Sequence, residues 1–290
     1  MSSPKYSRII SGVMTWGKWG KQLNDEGMIS LMNHCLEIGI NTFDHADIYG
    51  GYTSEADFGS AFAKSSVARE SINLISKCGI QYVCDNRSNT VKHYDYSKKY
   101  IIQSVETSLK HLNTDYLDLL LLHRPSPLMQ PQEIMEAIAK LGQEGKIIDF
   151  GVSNFTPSQI ELLSSELPVR VNQIEFSVTQ FEAMLDGTLD QMMVQKMIPM
   201  AWSPLGGLFR EENEQTLRIH HIMEGMMEKY DANEDQLALA WILNHPAGIH
   251  PVVGTTNPDR LTRAQQALGI DLELEDWFAI WTASMGRKVP

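Results

Sequence analysis

What this 290-residue chain lacks narrows its function before any motif is considered. Cysteine is scarce: Cys35, Cys78 and Cys84 are an odd number with no CxxC pair, in a chain long enough to bury its own core. That argues against a disulfide framework and a structural zinc site, and for a reducing compartment. Positive charge is in deficit, with 24 Lys and Arg against 36 Asp and Glu and a formal net charge of −12. Nucleic acid and anionic membrane surfaces are therefore not expected partners, because counterion release needs clustered cations. Long apolar runs are absent too: nothing approaches the roughly 18 residues of a membrane span, and the opening MSSPKYSRIISG has no basic stretch leading into an apolar one. A cytoplasmic protein is expected. No GxGxxG follows an apolar run, which leaves no fingerprint of a Rossmann domain.

What is present is an alternation of short apolar runs with longer amphipathic stretches, the pattern of repeated βα units around a parallel sheet. About eight units are legible, with candidate strands at 9–16, 41–46, 72–78, 116–123, 147–153, 169–176, 198–203 and 249–254. The expected fold is α/β, a single (β/α)8 TIM barrel over residues 1–290, whose 43% hydrophobic content suffices for one large core. Helix punctuation agrees. Thr156, Pro157 and Gln159 form a capping box with Phe155 and Ile160 as a staple, and Asn233 with Gln236 caps a helix that Pro246 stops. Pro131 opens a helix whose Ile134, Ile138 and Leu141 share one face and whose end Gly145 marks, and Ile101, Val105, Leu109 and Leu112 stripe a helix over 98–112. Two segments, 81–97 and 205–215, read as long loops after strands, on the face where barrels place their chemistry.

Four ionisable residues stand at or just past three strands: Asp44 and Tyr49 in NTFDHADIYGG, Lys77 in INLISKCG, His123 in YLDLLLLHRP. The ends of barrel strands two, three and four are neighbours, so these side chains are expected to converge at the C-terminal rim. A tyrosine with a reference pKa of about 10 is a weak proton donor near neutrality. A lysine ammonium about 4 Å away, at an effective dielectric near 20, offers the phenolate about 4 kcal/mol; burial opposes it, so a smaller net lowering is expected. Asp44 would hold Lys77 charged and aimed, and a neutral His123 would bond a substrate carbonyl. The set describes proton donation to a carbonyl oxygen and lacks a reductant, a nucleophile and a metal site of its own.

The order Asp44, Tyr49, Lys77, His123, with the motifs DHADIYGG, SKCG, LLLLHRP, GVSNF, NQIEFS and MAWSPLGG, resembles the aldo-keto reductases, and the text through to WFAIWTASMGRKVP is similar to a bacterial subgroup of that family. The resemblance covers nearly the whole chain and implies a barrel that binds NADPH, with NAD possible, across its C-terminal face to reduce an aldehyde or ketone. It makes Tyr49 the proton donor, Lys77 and Asp44 its electrostatic partners and His123 the residue that orients the carbonyl. It places Ser153, Asn154 and Gln173 on the nicotinamide carboxamide and Trp202 against the nicotinamide ring. Ser203, Leu205 and Gly207 fall along the pyrophosphate, and Thr255 and Arg260 on the 2′-phosphate. Gly254 stands where many members carry lysine, which narrows the preference for NADP over NAD. The resemblance further implies a small carbonyl substrate and a monomer or small homo-oligomer.

Met14, Trp16, Trp19, Tyr82 and Phe209 read as an apolar substrate lining, Cys78 as packing on the strand face opposite Lys77, His45 and Asp47 as supporting groups, and His220 and His221 as surface residues. Two other functions fit parts of the pattern. A regulatory, redox-sensing subunit would keep the barrel and cofactor with little turnover. A metal-dependent hydrolase would use His45, Asp44, Asp47 and His123, although VMTW offers no histidine on the first strand.

Overall fold

The computed structural model describes residues 6–164 and 168–289. Eight parallel strands close into a barrel: β1 (Ile10–Gly12), β2 (Thr42–Asp44), β3 (Asn73–Cys78), β6 (Leu117–Leu122), β7 (Ile147–Ser153), β8 (Val171–Glu175), β9 (Ile198–Trp202) and β10 (His250–Val253). Two further short strands, β4 (Ile80–Gln81) and β5 (His93–Tyr94), make an antiparallel hairpin outside it. Helices run between the strands: α1 (Asp25–Glu37), α2 (Ser54–Lys64), α3 (Lys98–Leu112), α4 (Pro131–Gln143), α5 (Pro157–Ser164), α6 (Thr188–Gln195), α7 (Glu214–Tyr230), α8 (Glu234–Leu243), α9 (Pro258–Gln266) and α10 (Leu274–Met285). The α/β barrel expected from the sequence is the one observed.

The strands read as continuous apolar runs because both faces are covered. On β6 every residue of LDLLLL is buried. Alternate residues split between two cores: Ile10, Ile75, Leu119, Leu121, Val171, Met200 and Val252 fill the barrel interior with Tyr6. Leu74, Cys78, Leu120 and Leu122 point the other way, into the larger layer under the helices. Cys78 is packing there, as its position beside Lys77 requires.

Caps set the helix starts. The Ser97 hydroxyl accepts the Tyr100 N–H at α3, the Asn233 and Gln236 box opens α8, and Thr156 with Gln159 exchange bonds ahead of α5. Helix α4 ends at Gln143, ahead of Gly145 at φ +70°, and α8 ends before Pro246. The strands are shorter than their apolar runs at several ends, since a residue past the rim has no neighbour to pair with. The segment 81–97 is not a bare loop: its two ends are tied by the β4–β5 hairpin, Ile80 opposite Tyr94. No helix among the described residues is long and apolar enough to cross a membrane.

Candidate active site

At the carboxyl rim, Asp44 closes β2, Lys77 is the penultimate residue of β3, and His123 follows β6, its N–H bonded to the Cys78 carbonyl at 2.9 Å. Tyr49 sits in the turn after β2, its N–H on the Ala46 carbonyl at 3.1 Å. Register brings the strand ends level, with Asp44 opposite Ile75 and Lys77 opposite Leu121. Lys77 is 1% exposed, and its ammonium donates to three acceptors: Asp44 Oδ2 at 2.6 Å, the His45 carbonyl at 2.9 Å and Tyr49 Oη at 3.2 Å. Because the ammonium is the donor to Oη, the phenolic hydrogen stays free to point at a substrate. The Tyr49 and His123 rings meet edge-on, 6.0 Å between centroids. The four residues converge as expected.

Their electrostatics differ from expectation at one point. Burial pushes the Tyr49 phenol above its ordinary value; Lys77 pulls it down, and Asp44 pushes it up again. The expected net lowering is reversed, because burial outweighs the lysine and the carboxylate that holds the lysine adds to it. The phenol is thus fully protonated at neutral pH, and the ammonium acts on the charge that develops when the proton leaves. Burial lowers the Lys77 pKa, but Asp44 and Tyr49 outweigh it, so the net shift is upward and the amine stays charged. Burial, and after it Lys77, Arg124 and Lys92, holds His123 well below the usual histidine range. A neutral imidazole there has one N–H to offer a carbonyl oxygen.

From this point a groove of about 1510 Å³ runs across the rim to Thr255 and Arg260. That exceeds the roughly 300–1,000 Å³ of an ordinary small-ligand cleft and suits an extended ligand together with a second, smaller one. Its wall carries Asp44, Tyr49, His123, Ser153, Asn154, Gln173, Trp202, Ser203, Leu205, Thr255 and Arg260, so most of the sequence-predicted contacts lie on one surface. The strand-end polar groups are locked together. Gln173 Nε2 donates to Asp44 Oδ1 at 2.9 Å, Asn154 Nδ2 to Ser153 Oγ at 2.8 Å, and Trp202 Nε1 to Asn154 Oδ1 at 2.9 Å. Asn154 and Ser203 hold left-handed backbone, φ +61° and +48°, as residues at functional turns often do. At the far end Asn257 caps α9 on the Arg260 N–H at 3.1 Å, which fixes the base of that arginine. A dinucleotide with its charged groups toward Arg260 and its reactive ring beside Tyr49 fits this donor set.

Several readings change. Trp16 is fully buried, edge-on to Phe43, and belongs to the core rather than to a substrate lining; Met14, Trp19 and Phe209 do line the groove. Tyr82 borders a neighbouring cavity of about 230 Å³, with Trp19 between the two spaces. Gly207 is turned from the groove, its N–H on Thr179 Oγ1 at 3.1 Å, while Gly206 lines it. His220 is not a free surface residue: it is half-buried in the groove wall with partners on both ring nitrogens. His221 lines the wall beside it. His45 and Asp47 lie outside the groove, the former edge-on to Phe58, so they do not join Asp44 and His123 in one ligand set. Missed from sequence were the Gln173 bond to Asp44, 129 positions away, and the Arg124 guanidinium 5.1 Å from the Trp202 ring centre.

A family model described as the aldo/keto reductase family matches residues 8–283. Among curated relatives, the chain is 43% identical to the uncharacterized oxidoreductase YcsN of Bacillus subtilis (strain 168), covering 99% of this chain and 97% of the relative. It is 39% identical to a 6-dehydroglucose reductase of Agrobacterium fabrum, over 98% and 96% of the two chains. Among solved structures, an aldo-keto reductase from Klebsiella pneumoniae in complex with NADPH superposes with a TM-score of 0.75 at 25% identity, covering 93% of this chain and 88% of that one.

Proposed function

The chain belongs to the aldo/keto reductase family, and from that premise we propose that it reduces an aldehyde or ketone to the alcohol with NADPH, Tyr49 giving the proton. As a member of that family it is a nicotinamide-dependent oxidoreductase of carbonyl and alcohol groups. The cofactor supplies the hydride when bound. The observation that carries the reading is the direction of one hydrogen bond: Lys77 donates to Tyr49 Oη, leaving the phenolic O–H for a substrate oxygen. His123, neutral and beside that phenol, holds the same oxygen. Asp44 keeps the ammonium charged and aimed, and Gln173 fixes the second oxygen of Asp44. Ser153 and Asn154 offer amide-recognising groups one strand away, and Arg260 with Thr255 offers a phosphate site.

Tyr49→Phe removes the proton donor and keeps the ring. Turnover of simple aldehydes is expected to fall by at least about 10²-fold while NADPH still quenches protein fluorescence with near-wild-type affinity. Retention of more than about a tenth of the wild-type rate would sink the proton-donor role. The substrate panel includes a hexose carrying an aldehyde at C6, because the relative from Agrobacterium fabrum acts as a 6-dehydroglucose reductase. Tight NADPH binding with no steady-state oxidation across the panel would favour a redox-sensing subunit instead.

A further inference from the structure

The segment 203–213 crosses the groove between β9 and α7, and it is tied down at two places. Near its start the Thr179 hydroxyl accepts the Gly207 N–H, and Gly206 takes φ +51° where an added Cβ would meet that same hydroxyl at 2.0 Å. Near its middle the tie is His220. Its Nε2 lies 2.9 Å from the Leu208 carbonyl, and its Nδ1 lies 3.0 Å from both carboxylate oxygens of Glu234, the first residue of α8. The Phe209 ring rests against the imidazole, centroids 5.9 Å apart. His220, Glu234, Leu205 and Phe209 all face the groove.

The hydrogen-bond inventory of this contact is unusual. A carbonyl and a carboxylate are both acceptors, and a neutral imidazole has a single N–H. Only the doubly protonated ring satisfies both partners, and on losing a proton it must release either the covering segment or Glu234. The other ionisable groups along this wall are Arg210 on the segment, His221 and Glu224 on α7, and Arg260 on α9. Asp235 of α8 is engaged with Arg263 at 3.0 Å, and Arg210 Nη2 with the Gly206 carbonyl at 2.7 Å.

We propose that His220 is a positioning residue that clasps the covering segment to α8, so that its protonation sets how long the cofactor stays in the groove. The inference rests on the reading of this groove as the NADPH site. With the clasp closed, the backbone above the extended ligand cannot lift without breaking two charge-assisted contacts. With the ring neutral, one anchor is gone.

The test is NADPH release from the intact enzyme, followed by stopped-flow fluorescence with excess NADP as the displacing ligand, over the whole pH range in which the enzyme stays folded. Wild-type release is expected to accelerate about fivefold or more across that range, as one of two charge-assisted bonds is lost. His220→Gln is expected to release fast and nearly independently of pH, and Glu234→Gln to lose most of the pH dependence while keeping the ring. A wild-type rate that is flat with pH, or a His220→Gln rate within about twofold of wild type throughout, overturns the clasp. If NADPH does not bind the wild-type protein at all, the cofactor reading fails instead, and equilibrium titration of the same samples separates the two results.

Discussion

Asp47 and Glu55 sit behind Lys77 with their carboxyls inside the protein, and burial raises both to about 7 from ordinary values of 3.8 and 4.5. Glu55 accepts from Ser76 at 2.5 Å and Asp47 from Ser104 at 3.1 Å and Tyr100 at 3.3 Å, while Asp47 Oδ1 is buried without a partner. The unfolded chain releases these protons near pH 4 and the folded one near pH 7. Between those values the folded protein binds more protons, so their contribution to stability falls as pH rises and levels off above about 7. Glu55→Gln carries no charge at any pH and keeps an oxygen for the serine hydroxyls. Relative to wild type it is expected to gain stability on going from about pH 5 to about pH 8, by up to ~3 kcal/mol. Urea unfolding at the two pH values checks this, and a difference that does not change with pH would contradict it. Asp47 read from sequence as a supporting group and Glu55 was not singled out, since burial inside the closed barrel leaves no mark on local pattern.

At the scale of elements, the contact between α2 and α3 is set by one glycine. A Cβ at Gly59 would stand 1.9 Å from the His111 carbonyl oxygen and 2.8 Å from the Leu112 carbonyl carbon. Helix propensity favours alanine over glycine by up to ~1 kcal/mol, but the obstacle is backbone, and forcing the helices apart costs about 1–3 kcal/mol or more. Gly59→Ala is therefore expected to lower the melting temperature by a few degrees, and a rise would show that the two helices separate freely. Helix starts were legible because caps are local: the stripe over 98–112 has the bounds of α3, and the Asn233 box opens α8 as read. Strand ends were not, because pairing depends on a neighbour distant in sequence. The β4–β5 hairpin escaped notice since its strands are two residues each, too short for any periodicity.

For the whole molecule, barrel closure turns separate strand ends into neighbours, and this made the four central residues readable: they stand at or just past the carboxyl ends of three apolar runs. What closure adds beyond that was hidden. Gln173 reaches Asp44 across the barrel, Trp16 turns inward to Phe43 and Phe58, and His220 finds Leu208 and Glu234 across two connections. The reversal at Tyr49 has the same origin, because only the closed fold buries the phenol and pairs its lysine with a carboxylate.

The central claim is that the ammonium of Lys77 stabilises the phenolate as Tyr49 gives up its proton. Single-turnover oxidation of bound NADPH by Lys77→Met, with a simple aldehyde in excess, tests it most directly. That rate is expected to fall by at least about 10²-fold with NADPH still bound, and a rate within about tenfold of wild type would mean that the ammonium does not stabilise the phenolate.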